Sequence, residues 1–243
     1  MINFNFDFSF FTADFVTNYL LKGLYFSVTV TVVATVFGFL SGTLLAMARL
    51  SRLPVVSQLA IIYITAMRAI PLVLVILWFF LIFPDLFEAL KNPHFVPLIS
   101  VIENIVGNPV NMFLSALVTF VAFEAAYFAE IMRAGINAIP QGQGQAGDAL
   151  GMRYLQKMFI VILPQAFRTM LPVLLTQVII LFQDTSLVYV IGGYDLLKGF
   201  EIGGSIWGQK SAAYILAAFT YFIICFALSQ IVRILQKKVA IIR

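Results

Sequence analysis

The sequence predicts an all-α polytopic membrane protein with five transmembrane helices, on three observations. Of the 243 residues, 62% are hydrophobic and only 11% are charged, whereas a soluble domain carries roughly a quarter charged residues. Mean hydropathy is +1.00, and the apolar residues gather in runs long enough to cross a bilayer as helices. The runs lack the alternating ten-residue pattern of a membrane barrel. The remaining composition is bland. Cys225 stands alone inside an apolar run and offers neither a disulfide framework nor a cysteine metal site. His94, the lone histidine, lies in an N-P-H-F-V-P loop and reads as an ordinary loop residue, because a metal would need further ligands. The net charge of +4 is explained by Lys and Arg flanking the spans and calls for no nucleic-acid partner.

Taken in order, residues 1–18 alternate Phe with polar residues and carry Asp7 and Asp14 without a basic residue. They read as a short extracytoplasmic segment rather than a signal peptide. The first span is expected from about Tyr19 to Ala48, with Gly38 and Gly42 spaced for a close helix contact within the chain. The next apolar stretch, 55–83, exceeds the ~20 residues of an upright span. Arg68 and Pro71 divide it into an interfacial or tilted helix ending near Met67 and a span starting near Ile70. Residues 84–108 read as a loop. The third span runs from about Val110 to Met132, and the fourth from about Phe159 to Phe182, interrupted by Pro164 and Pro172. A loop with six glycines between Gly192 and Gly208 follows, then a fifth span from about Ala212 to Ile234 and a basic tail. The organisation is thus 1–18 N-terminal segment, 19–235 transmembrane domain with a polar loop at about 138–157, and 236–243 tail.

Orientation follows from the basic residues. Arg49, Arg52, Arg133, Arg153, Lys157, Arg233, Lys237, Lys238 and Arg243 fall on one side of this topology, against Lys22, Lys91, Lys198 and Lys210 on the other. That asymmetry puts the 138–157 loop and the C-terminus in the cytoplasm and, with five spans, the N-terminus outside.

Enzymatic signatures are missing from the sequence. A phosphate-binding loop needs Gly-Lys-Ser/Thr without a gap, and in the nearest match, Gly203 to Ser211, Gln209 separates Gly from Lys. The chain has no G-x-S-x-G, no H-E-x-x-H and no second histidine. No cofactor is implied, and any ATP hydrolysis has to come from another chain.

Two polar features need a reason. Residues 138–164 hold Gly142, Gly144, Gly147 and Gly151, a poor helix former in isolation. Yet Ala146, Ala149 and Leu150 recur at i, i+3, i+4, the stripe of a short helix that lies against a partner. The segment is either a flexible linker or a docking element ordered by a second protein. Charges within spans cost ~2.5–3.5 kcal/mol each, so Arg68, Glu124 and Arg168 either line a polar path, pair with one another or reach the interface. Gln183, Asp184, Thr185 and Ser186 cluster after an apolar run, and either line that path or cap a helix.

The same stretches resemble the membrane subunits of bacterial ATP-binding cassette (ABC) importers. Their signature, E-A-A, three residues, G, nine residues, I-x-L-P, is matched by Gln145-Ala146-Gly147, Gly151 and Val161-Ile162-Leu163-Pro164, with Gln for Glu, Gly for the second Ala and Val for Ile. R-A-I-P-L-V (68–73), F-E-A-A-Y-F-A-E-I-M-R-A-G-I (123–136), I-L-P-Q-A-F-R (162–168) and Q-D-T-S-L-V-Y-V-I (183–191) are similar to the polar amino-acid branch, most of all to the second permease subunit of glutamate/aspartate importers. The resemblance implies a type I importer permease fold in the bacterial inner membrane. It also implies partners: ABC ATPase subunits, a second like or unlike permease subunit, and a periplasmic amino-acid-binding protein. Gln145, Ala146, Gly147, Asp148 and Gly151 are then expected to dock the ATPase. Arg68, Glu124, Gln183, Asp184, Thr185 and Ser186 are the candidates for the substrate path, with Arg68 and the Thr185 and Ser186 hydroxyls meeting substrate carboxylates. Glutamate and aspartate are the expected substrates; glutamine, histidine, arginine or cystine, or a passive channel, are the alternatives.

Overall fold

Every regular element in the computed structural model, which describes residues 7–82, 100, 101, 104 and 109–239, is helical. In chain order these are α1 (Ala13–Arg49), α2 (Pro54–Ala69), α3 (Leu72–Ile82), α4 (Val110–Asn137), α5 (Gln141–Ala149), α6 (Tyr154–Ile191), α7 (Leu196–Ile206) and α8 (Lys210–Val239). Among the described residues, four helices are long and apolar enough to cross a membrane, and the bent pair α2–α3 makes a fifth candidate span. His94 and most of the 84–108 loop lie outside the described residues.

The boundaries differ from the sequence expectation for physical reasons. Helix α1 starts at Ala13, six residues before Tyr19, because the Thr12 hydroxyl accepts from Phe15 N–H at 3.3 Å and caps it. The α2–α3 break falls at Ile70–Pro71 with a bend of 107°. Proline disfavours helical backbone in the residue before it, which ends α2 there. The expected interruptions of the fourth span are absent, since α6 runs through both prolines. The Pro164 ring would press on the carbonyl one turn earlier, and a π-turn at Met158–Ile162 widens the helix at that place. The loop expected after the fourth span is also corrected: three of its six glycines, Gly199, Gly203 and Gly204, lie within α7.

The chain divides into two compact units, residues 1–35, 70–121 and 180–226, and residues 36–69, 122–179 and 227–243. In the first unit, α7 packs on the opening turns of α1 through glycine. A Cβ on Gly23 would meet the Asp195 carbonyl oxygen at 2.2 Å, one on Gly199 the Tyr19 carbonyl oxygen at 2.7 Å, and one on Gly203 the Phe15 ring at 1.8 Å. Phe15 is fully buried among Phe10, Tyr19, Phe200 and Trp207. Asp195 caps α7, accepting from Leu197 N–H and Lys198 N–H at 3.0 Å each.

In the second unit, the Gly38–Gly42 pair does what its spacing suggests. A Cβ on Gly42 would sit 2.8 Å from both the Ala125 carbonyl oxygen and Phe128 Cβ, so α1 lies directly on the α4 backbone. Met47, Ile64, Phe128, Met132, Met158 and Ile162 share the unit's apolar core.

Candidate functional site

The polar loop is an ordered helix. α5 begins after Pro140 and includes Gln145, Ala146, Gly147 and Asp148. It ends in a Schellman arrangement: Met152 N–H donates to the Gly147 carbonyl at 3.0 Å and Gly151 N–H to the Asp148 carbonyl at 3.0 Å. Gly151 takes the left-handed conformation that this ending requires, with φ of 71°. The signature glycine is therefore the stop of the helix.

One face of α5 is fastened to α6. Gly147 is its only buried residue; a Cβ there would lie 3.0 Å from the Lys157 stem. Lys157 Nζ donates to the Asp148 carboxylate at 2.5 Å, and Gln165 Nε2 donates to Gln143 Oε1 at 3.2 Å. The rest of the helix is bare. Gln145, Ala146 and Ala149 are exposed, nothing stands within 4 Å of a Cβ on Gly142 or Gly144, and Leu150 is 81% exposed. Such a face admits a partner's backbone at close range and offers Leu150 as an apolar contact.

Of the span charges, Glu124 and Arg68 fall into two separate clusters of the second unit. Glu124 is fully buried and pairs with Gln177, whose Nε2 donates to its two carboxylate oxygens at 3.2 and 3.1 Å. The arginines go elsewhere. Glu130 accepts from Arg49 and from Arg133 Nε at 2.8 Å, while Arg68 Nη1 lies 3.5 Å from it. The Arg68 guanidinium also stands 5.5 Å over the Tyr127 ring. Arg68 thus pairs with Glu130 rather than Glu124, and Arg168 is exposed on α6. Glu130 is the residue that sequence reasoning missed, although its i, i+3 spacing to Arg133 inside a span was a visible signal.

Gln183, Asp184, Thr185 and Ser186 belong to the first unit, where the helix continues past them as a 3-10 turn from Thr185 to Ile191. Asp184 makes no side-chain cap bond. Thr185 is fully buried, its hydroxyl donating to the Phe182 carbonyl at 2.7 Å. Gln183 is exposed, and Asp184 and Ser186 are half-buried.

Comparison with known proteins places this architecture. The profile of the binding-protein-dependent transport system inner membrane component family matches residues 14–241. The chain is 44% identical over 225 residues to the glutamate/aspartate import permease protein GltK of Escherichia coli O6:H1, covering 91% of this chain and 94% of that protein. It is 34% identical over 220 residues to the L-cystine transport system permease protein TcyB of Bacillus subtilis, covering 90% and 86%. Among solved structures it matches a chain of an amino acid ABC transporter with a TM-score of 0.72 at 27% identity, covering 93% and 99%. A chain of the MetNI methionine ABC transporter matches in fold, with a TM-score of 0.63 at 19% identity, covering 92% and 99%. The chain belongs to the binding-protein-dependent transport system inner membrane components, the multi-pass permease subunits of ABC importers.

Proposed function

We propose that this permease subunit serves an importer of acidic amino acids, glutamate and aspartate, driven by a separate ATPase that docks on α5. A single observation carries the docking part: a fastened, glycine-stopped helix whose exposed side presents Gly142, Gln145, Ala146 and Ala149, with Leu150 bare at its end. The 44% identity to a glutamate/aspartate permease supports the substrate class. In this reading α5 and the C-terminus are cytoplasmic and the N-terminus extracytoplasmic. A binding protein delivers the amino acid from outside, and a second permease subunit completes the pathway.

Energy enters mechanically, since the chain carries no intact nucleotide-binding loop. The residues proposed for the substrate path are Arg68 and Glu124 in the second unit and Gln183, Asp184, Thr185 and Ser186 in the first. Arg68 is 43% exposed and only loosely held by Glu130, so its remaining N–H donors are open to a substrate carboxylate. Arg68→Ala is expected to lower glutamate uptake at least ~tenfold, the value of one charge-assisted hydrogen bond; unchanged uptake removes Arg68 from the path.

The test of the whole reading is uptake by the assembled complex in proteoliposomes loaded with ATP. Glutamate accumulates, aspartate competes, and glutamine and cystine compete weakly. Accumulation without ATPase or ATP overturns the importer reading, and preferred uptake of cystine or glutamine overturns the acidic substrate.

A further inference from the structure

The Glu130 cluster lies in the same compact unit as the docking helix. Its carboxylate meets the last residue of α1 (Arg49), the end of α2 (Arg68) and, one turn further along α4, Arg133. Three guanidinium groups and one carboxylate leave a net charge of +2, with Glu130 the counter-ion they share among the described residues. The cluster is half-buried, with Glu130 at 17% and Arg68 at 43% exposed, so each pair stabilises weakly, while removing the shared partner leaves three like charges facing one another.

Continuous contacts join the cluster to α5. Four residues beyond Asn137, where α4 ends, α5 begins. Just before that end, α4 is locked to α6 at Gly135, where a Cβ would sit 2.5 Å from Met170 Cγ and 3.2 Å from the Ala166 carbonyl oxygen. On its other side α5 is tied to α6 by the Asp148–Lys157 and Gln143–Gln165 contacts. Displacement of α5 therefore moves the end of α4, and α4 carries Glu130.

We propose that Glu130 is a positioning residue that couples the docking helix to α1 and α2, so that motion imposed on α5 reaches α1 through its hydrogen-bonded pair with Arg49 and α2 through its looser ion pair with Arg68. This inference rests on α5 being the ATPase docking site. Its signature is efficiency: a merely structural ion cluster lowers the yield of complex, whereas a coupling cluster lowers the solute moved per ATP hydrolysed.

The test uses the complete complex with ATPase and binding protein in proteoliposomes, measuring glutamate transported per phosphate released. Glu130→Gln is expected to retain bound ATPase and to lower that ratio by about threefold or more, the range for residues that modulate coupling. Arg49→Gln, which cuts the α1 link while relieving excess charge, lowers it as well and decides the matter if Glu130→Gln fails to assemble. The double variant falls no further than Glu130→Gln, because both act through one contact. An assembled variant with the wild-type ratio, or a double variant whose losses multiply, overturns the inference. Failure of the docking reading looks different: a Gly144→Trp complex would then still hold its ATPase, whatever Glu130→Gln does.

Discussion

Two glycine-rich segments outside the long spans use the same residue in opposite ways. Around α7, glycine removes side chains so that helices touch: Gly23, Gly199 and Gly203 each have a neighbouring atom within 2.7 Å of where a Cβ would be. On α5, Gly142 and Gly144 face open space. The first pattern spends glycine on internal packing, and the second leaves a surface clear, which the proposed docking of an ATPase would use. Composition cannot tell them apart; what surrounds the missing Cβ does.

The largest effects that break or sharpen this contrast come from adding the methyl group. Gly203→Ala drives a Cβ into the Phe15 ring, and Gly23→Ala drives one into the backbone of Asp195. Each is expected to destabilise by about 3 kcal/mol, the upper range for overpacking, read as a lowered Tm in detergent. Gly142→Ala and Gly144→Ala are expected to leave Tm unchanged or raise it, because alanine favours an exposed helix by ~1 kcal/mol. Equal destabilisation in both segments would erase the distinction.

An intermediate effect is expected at the helix stop. Gly151→Ala places a Cβ in left-handed backbone and costs ~1–2 kcal/mol, although nothing stands within 4 Å of that Cβ. The loss should appear as faster hydrogen exchange confined to α5, with the spans unaffected.

A smaller effect is a pH dependence in the α7 region. Burial pushes the Asp195 carboxyl up to about 6, against the N–H bonds it accepts from Leu197 and Lys198. A carboxyl whose pKa is raised on folding favours the protonated folded state. Its contribution is therefore full below about 4, falls as pH rises toward 6, and stays lost above. The Tm of the purified protein should decline across that window, and Asp195→Asn, which keeps an oxygen for the cap, should flatten the decline. An unchanged slope in Asp195→Asn would remove Asp195 as its source.

How much of this was legible follows from how local each cause is. Hydropathy runs and Pro71 mark the spans and the α2–α3 break because both act on adjacent residues. The Gly38–Gly42 spacing announces a close contact, yet not its partners Ala125 and Phe128, which are supplied by a distant helix. The sequence of α7 reads as loop because glycine lowers helix propensity, whereas packing on α1 and the Asp195 cap override it. Glu130 escaped notice because two of its arginines approach from other helices, Arg49 from 81 residues away. The short helix at residues 141–149 is legible through the stripe of Ala146, Ala149 and Leu150; that Gly151 closes a Schellman turn depends on its φ, a property of the folded backbone.

The most direct measurement is retention of the ATPase by a purified permease complex carrying Gly144→Trp. A bulky side chain on the bare face of α5 has room in the permease but obstructs a seated partner. Normal permease Tm with loss of bound ATPase and of ATP-driven uptake is the predicted result. A Gly144→Trp complex that keeps its ATPase and accumulates solute at the wild-type rate would contradict the account.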